Sequence, residues 1–315
     1  MVNYLPNIFR YDDHREFNSD QHIIRVVDGY KTTNLTLRLS QDVAILNNIV
    51  LAAASGERSG LGTSTGRTDL DIYNTNLSAN YNMTPRDFIF AELRMNRTEY
   101  AQPLISSELY IADLYLNHGF SQSFVLGLGV EGGYNTVDFP TPNQTLVRTN
   151  AHLNYTPGKE FTLDIIAGEE FRDFQNFTRG TYTTPVFAIS ATYLPCDSTK
   201  LVLTASRQIY NSAARTAQDY VDTSVSGMIR ERVCKQLYLA VIAGYEHVAY
   251  FNAIDLPMPL PTLRDDYFYV QPSADILLSR YWSFGGYYLR RQNSGSISIV
   301  DFYSNEVGVR TTVKF

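Results

Sequence analysis

Hydrophobic and polar residues alternate along most of the chain, and the last stretch shows it most clearly. From Val307 to the end, Val307, Val309, Thr311, Val313 and Phe315 fall on one face, while Gly308, Arg310, Thr312 and Lys314 fall on the other. A period of two is a strand with one apolar and one polar face. In a soluble sandwich the apolar face meets a core. In a membrane barrel it meets lipid, and the polar face lines the lumen. The same alternation sets Val147, Thr149, Ala151, Leu153 and Tyr155 against Arg148, Asn150, His152 and Asn154. It sets Ile89, Ala91, Leu93 and Met95 against Phe90, Glu92, Arg94 and Asn96. Further strands are expected around residues 161–168, 187–193, 221–230, 237–245 and 282–288.

The punctuation between these segments is regular. Tight polar turns are expected at Asn47-Asn48, Thr84-Pro85-Arg86, Ser121-Gln122-Ser123, Thr156-Pro157-Gly158, Pro195-Cys196-Asp197, Val233-Cys234-Lys235 and Ser279-Arg280-Tyr281. Most follow one another at roughly 37 residues, and a fixed period is the mark of a repeated unit. Each unit holds two strands joined by a longer loop, the asymmetry of barrel hairpins. Counting from Asn48 gives fourteen strands. Asp28-Gly29, a strong two-residue hairpin signal, adds a pair around His22–Val27 and Leu35–Leu39. The expected fold is therefore all-β: a transmembrane antiparallel up-and-down β-barrel of sixteen strands, with fourteen the alternative. Its short turns are periplasmic and its longer loops extracellular. Residues 1–20 show no period and are expected to form a polar lead-in, periplasmic or plug-like, ahead of a barrel over 21–315.

Composition sharpens this picture. Aromatics make up 13%, with 23 Tyr against a single Trp, while the mean hydropathy is only −0.19. Apolar runs such as 49–54 and 237–245 fall far short of the ~20 residues a spanning helix needs. A barrel tolerates low hydropathy because only alternate residues meet lipid. The net charge of −6 argues against nucleic acid as a partner. Residues 1–20 lack the apolar core of a secretory signal, so the chain is expected to be a mature or trimmed form. Tyr81, Tyr155, Tyr193, Tyr281 and Trp282 lie beside the short turns, and Tyr100, Tyr134, Tyr210 and Tyr245 lie toward the loops. Two belts of this kind mark the membrane interfaces; the place of these residues near turns rather than mid-strand favours belts over the high strand propensity of Tyr alone.

A closing strand that stops on Phe315 resembles that of bacterial outer-membrane barrels, whose terminal aromatic is read by the barrel-assembly machinery. Val309, Thr311, Val313 and Phe315 would form that signal here, although an aromatic is more usual at the position Val313 occupies. Other fragments join it in order: Arg172-Asp173-Phe174, Pro185-Val186-Phe187, Ala191-Thr192-Tyr193-Leu194-Pro195, Ser206-Arg207, Tyr245-Glu246, Arg264-Asp265-Asp266-Tyr267 and Leu278-Ser279-Arg280-Tyr281-Trp282-Ser283. Together, over roughly residues 30–315, they resemble the beta-barrel porin 2 family. The resemblance implies an outer-membrane conduit for exopolysaccharide with three partners: outer-membrane lipid, the assembly machinery and a periplasmic polysaccharide-export protein. It implies no catalytic residues and no cofactor.

The chemistry, on this reading, lies on the lumenal face. Glu92, Arg94, Arg148, His152, Asp164, Glu170, Arg172, Asp222, Arg230, Glu246, Asp275, Arg310 and Lys314 are expected to point inward. Such a lining passes a hydrated solute or, alternatively, pairs internally and braces or blocks the bore. The run Glu169–Phe174 is expected to form a local ion network, with a constriction at the mouth as the alternative. Inward tyrosines such as Tyr238, Tyr269 and Tyr287 either stack on sugar rings or simply fill space. Gly127 and Gly129 are read as inward glycines that make room for larger neighbours. His14, His22, His118, His152 and His247 have no metal-ligand spacing, and nothing assembles a nucleophile beside His152. Cys196 and Cys234 are expected to remain free thiols. The reading is a passive export conduit, not an enzyme, with a general diffusion porin and an occluded scaffold or rim enzyme as alternatives.

Overall fold

The computed structural model describes the chain apart from residues 11–17, 51–66, 176–179, 214, 216, 254–262, 280, 297–300 and 314–315. Among the described residues sixteen strands form one sheet in sequential order, each antiparallel to its chain neighbours. The first eight are β1 (Val2–Phe9), β2 (Ser19–Lys31), β3 (Leu35–Val50), β4 (Arg67–Asn82), β5 (Asp87–Tyr100), β6 (Ser107–Gly119), β7 (Phe124–Val137) and β8 (Gln144–Tyr155). The rest are β9 (Phe161–Phe174), β10 (Tyr182–Cys196), β11 (Thr199–Asn211), β12 (Gln218–Arg232), β13 (Leu237–Asn252), β14 (Arg264–Leu277), β15 (Trp282–Gly295) and β16 (Phe302–Val313). Short turns at 32–34, 83–86, 120–123, 156–160, 197–198, 233–236 and 278–281 lie at one end. The connections over residues 101–106 and 138–143 lie at the other.

The sheet curls strongly. β8 and β12 are four strand spacings apart, about 19 Å along the sheet, yet Gln144 Nε2 donates to Asp219 Oδ2 at 2.8 Å. This contact identifies the concave face. On β6 it carries Ile111, Asp113, Tyr115 and Asn117, all buried, while Leu114 and Leu116 on the convex face are exposed. Leu128, Val130, Val147, Leu203, Val225, Ile229, Val307 and Val309 extend the exposed apolar surface around the convex side. Gly129, opposite Tyr115, makes the room its position implied: a Cβ there would sit 2.3 Å from the Tyr115 ring.

The total of sixteen matches the expectation, but its first fifty residues are assembled differently. Of the lead-in expected over residues 1–20, Val2–Phe9 is instead a strand of the sheet, paired from Val2–Val26 to Phe9–Ser19; residues 11–17 lie outside the described residues. Asp28-Gly29 is not a turn either. It lies within β2, opposite Leu39 and Arg38, with Asp28 Oδ1 accepting from Gly29 N; the turn comes at 32–34. Asn47-Asn48 is a bulge in β3, where the register with β4 shifts between Leu46 and Ile49 and Asn48 takes a φ of 53°. A bulge and a hairpin turn both call for a residue that tolerates positive φ, so Asn gave the same local signal for either.

The aromatic belt at the short-turn end is continuous on the convex face. Phe124, Tyr155, Phe161 and Tyr193 follow one another edge-on at 6.3–6.4 Å between centroids, and Tyr81, Tyr281 and Trp282 are exposed at the same end. At the loop end Tyr245 is exposed, whereas Tyr100 and Tyr210 line the interior cavity instead. Cys196 and Cys234 are exposed and free.

Candidate functional site in the bore

One row of side chains crosses the concave face at mid-strand. The register aligns Arg38, Ser78, Glu92, Asp113, Glu131, Arg148 and Glu170 on consecutive strands. Arg94, one step along β5, binds Asp113 at 2.7 Å and Glu131 at 3.1 Å, and lies 3.3 Å from Glu92. Arg148 joins Glu131 and Glu170 at 2.7 and 2.6 Å. Arg172 donates to Glu170 at 2.7 Å and to Gln144 Oε1 at 2.8 Å. The side chains of Glu170 and Arg172 are 0% and 3% exposed. Charges so deeply buried persist only when paired on several sides, and here each carboxylate meets a guanidinium. The run at Glu169–Phe174 is thus part of a wider ion ladder, to which Glu170 and Arg172 contribute.

The ladder holds something across the bore. The β10–β11 pairing runs from Cys196–Thr199, across an irregularity before Tyr193–Leu201, only as far as Phe187–Arg207. Beyond that point β10 stays with β9 and β11 stays with β12. The tips of β11 and β12 turn inward, together with Ala213 and Ala217 beyond them. Asn135 Nδ2 donates to Asn211 Oδ1 at 3.3 Å, Ala217 N to Thr141 Oγ1 at 3.2 Å, and Ile105 N to Ala213 O at 2.8 Å. Ile209 O, past the end of the β10–β11 ladder, accepts from Arg172 Nη2 at 3.4 Å. Arg207 donates to Pro185 O and Thr223 Oγ1 at the fork. Pro185, which has no N–H, sits where β10 becomes an edge, as proline in a sheet must. Tyr220, Val248, Tyr250 and Leu263 pack into an apolar cluster under the tips, with Tyr210 against it.

This infolding divides the interior. Toward β2–β6 a cavity of about 910 Å³ is lined by Arg25, Arg38, Glu92, Arg94, Tyr210 and Asp222 among others. Along β15 and β16 the wall is also open: the Glu306 and Arg310 side chains are 42% and 47% exposed. Between these regions the ladder and the infolded tips close the loop half of the bore against β7–β9.

The remaining expected lining residues, Lys314 apart, fall on the same face. His152 meets Asp164 at 2.9 Å, and Arg230 lies over the Tyr238 ring at 4.6 Å. Glu246 is buried beside the tips, and Asp275 holds Arg310 through two bonds of 2.9 and 2.6 Å. Val309 and Thr311 are on the exposed convex face. Lys314 and Phe315, and the Val313 side chain, lie outside the described residues. Sequence reading missed Asp113 and Glu131, although both stand on the polar parity of strands whose other face is Leu114–Leu116 and Leu128–Val130. Gln144 and Asp219 carried no local signal, since only the infolding brings them together. Among the described residues no cluster of His, Cys, Asp or Glu is arranged to hold a metal.

No family model matches the chain, and no curated protein matches it. Solved structures do. The FrpB iron transporter from Neisseria meningitidis is similar with a TM-score of 0.54 and 8% identity, over 88% of this chain and 52% of that one. The FpvAI–pyocin S2 complex gives 0.50 and 8%, over 100% and 55%. The alcaligin outer membrane receptor FauA from Bordetella pertussis gives 0.46 and 10%, over 100% and 59%. The chain spans little more than half the length of these proteins. The likeness is one of architecture: this chain folds as an antiparallel up-and-down β-barrel of the transmembrane kind.

Proposed function

We propose that this protein is a channel of the bacterial outer membrane, passing a hydrated solute through its bore, and that the solute is a secreted exopolysaccharide. The observation that carries the channel reading is the contrast between the two faces of one sheet. The convex face is a belt of exposed Leu, Val, Ile and aromatic side chains, an arrangement stable in lipid and costly in water. The concave face is charged, and the space it surrounds is partly open. Barrels of sixteen strands are wide enough to leave an aqueous channel. The resemblance of the sequence to the beta-barrel porin 2 family supports the export reading, with a periplasmic export protein supplying direction and the barrel a passive route. Planar-bilayer recording tests the channel: discrete current steps are expected, and an electrically silent, correctly folded barrel refutes it. Deletion of the gene tests the cargo. Loss of surface polysaccharide is expected, and an unchanged glycan coat refutes export.

A further inference from the structure

We propose that the inner wall formed by β13–β16 is a binding track for an uncharged glycan chain; the inference rests on the polysaccharide reading above and names the surface that would carry it. The concave parity of these strands places aromatic rings at successive depths. Tyr238 shares a register row with Asp275, Gly285 and Arg310. Tyr287 stands one row nearer the loops, opposite Gly308. Tyr269, opposite Gly244, comes two rows further on, and Tyr267 one row beyond that. Phe302 completes the file on β16, in the row of Tyr267 and Asn293.

The rings lie along the wall rather than across the bore. A Cβ on Gly308 would be 2.3 Å from Cζ of Tyr287, and one on Gly244 would be 2.5 Å from Cε1 of Tyr269. Only glycine lets a ring settle so close to the neighbouring strand. Tyr267 follows Tyr269 at 5.9 Å between centroids and Phe302 at 6.3 Å. Planar polar groups flank the file. Tyr287 Oη donates to Glu306 at 2.7 Å, Arg291 lies 3.4 Å from the same carboxylate, and Asp275 clamps Arg310.

Flat apolar faces interleaved with carboxylates and guanidiniums are the complement of a pyranose, whose C–H face stacks and whose hydroxyls both donate and accept. Tyr238, whose face Arg230 covers at 4.6 Å, ends the file and is not a stacking position. Arg291 and Arg310 each have a carboxylate partner, so the wall offers balanced charge. That selects a neutral chain over a polyanion.

The test is calorimetric titration of the full chain in detergent with maltohexaose, cellohexaose and a hexamer of galacturonate, beside bilayer recording with the same sugars and a polyethylene glycol of equal size. A neutral hexaose is expected to bind and to interrupt the current where the polymer does not. Tyr267→Leu and Phe302→Leu, neither of which covers a glycine, are expected to weaken binding about tenfold. Tyr287→Phe, which keeps the stacking face, is expected to stay within about twofold of the wild type. Failure of all three sugars to bind, unchanged affinity in the leucine variants, or tighter binding of the galacturonate hexamer overturns the track. Conductance without sugar binding sinks the track and leaves the channel standing; sugar binding to a silent barrel does the reverse.

Discussion

Replacing Arg172 by Met keeps most of the side-chain stem and removes the charge that fastens the infolded tips. Arg172 is 3% exposed and touches both sides of the closure. It bonds Glu170 and Gln144 on the wall, and it reaches Ile209 O at 3.4 Å and Asp219 at 3.7 Å on the tips. Gln144, which it orients, supplies the further bond to Asp219 at 2.8 Å. Breaking a buried pair from one side costs about 3–5 kcal/mol, because the remaining charge stays buried. Glu170 keeps Arg148 at 2.6 Å, so the lower end of that range applies. At 1.4 kcal/mol per factor of ten, about 3 kcal/mol moves the balance between docked and released tips by roughly two orders of magnitude. Single-channel recording reads this directly. Arg172→Met is expected to show a larger conductance, or frequent steps to a larger one. Arg310→Met, on the open wall, is expected to show neither. A folded Arg172→Met barrel with wild-type conductance and dwell times would contradict the assignment of the closure to this contact.

Two further predictions concern assembly. Gly168→Val should prevent folding, because a Cβ there meets Thr149 O at 1.9 Å and Asn150 Oδ1 at 2.4 Å. Gly227→Ala, whose nearest neighbour is at 3.8 Å, should assemble normally; heat-modifiable migration on gels separates the two, and equal behaviour would refute the packing claim. Leu128→Arg, at a convex position 68% exposed, should destabilise the barrel in phospholipid vesicles by about 2–4 kcal/mol, measured by urea titration. A change near zero would mean that Leu128 does not face lipid.

Much of this architecture was legible in the sequence because lipid and water impose a strict period of two. From residue 67 onward the alternation along strands such as 147–155 and 307–309 agrees with the exposure pattern of the sheet, and parity sets which charges share the concave face. The first fifty residues resisted the same reading. β1 carries Asn3, Pro6 and Asn7 and has no clean alternation, while Asp28-Gly29 and Asn47-Asn48 are turn-forming pairs that the sheet absorbs into strands. Ladder pairing on both sides of β2 and β3 overrides that local preference. The infolded tips were invisible for another reason. Nearness to loops points Tyr210 and Tyr100 to the belt, but the inward turn of β11 and β12 depends on contacts between residues some 75 positions apart, such as Gln144 and Asp219. Pro185, the fourth residue of β10, is the local sign of an edge there.

The chain's single tryptophan provides the most direct test that the apolar face meets lipid. Trp282 stands on the convex side at the short-turn end and is 54% exposed. In reconstituted vesicles its emission should be blue-shifted and quenched by brominated phospholipids, most strongly by those brominated near the headgroup. Quenching by aqueous iodide, with no response to brominated lipid, would place that face in water and contradict the account.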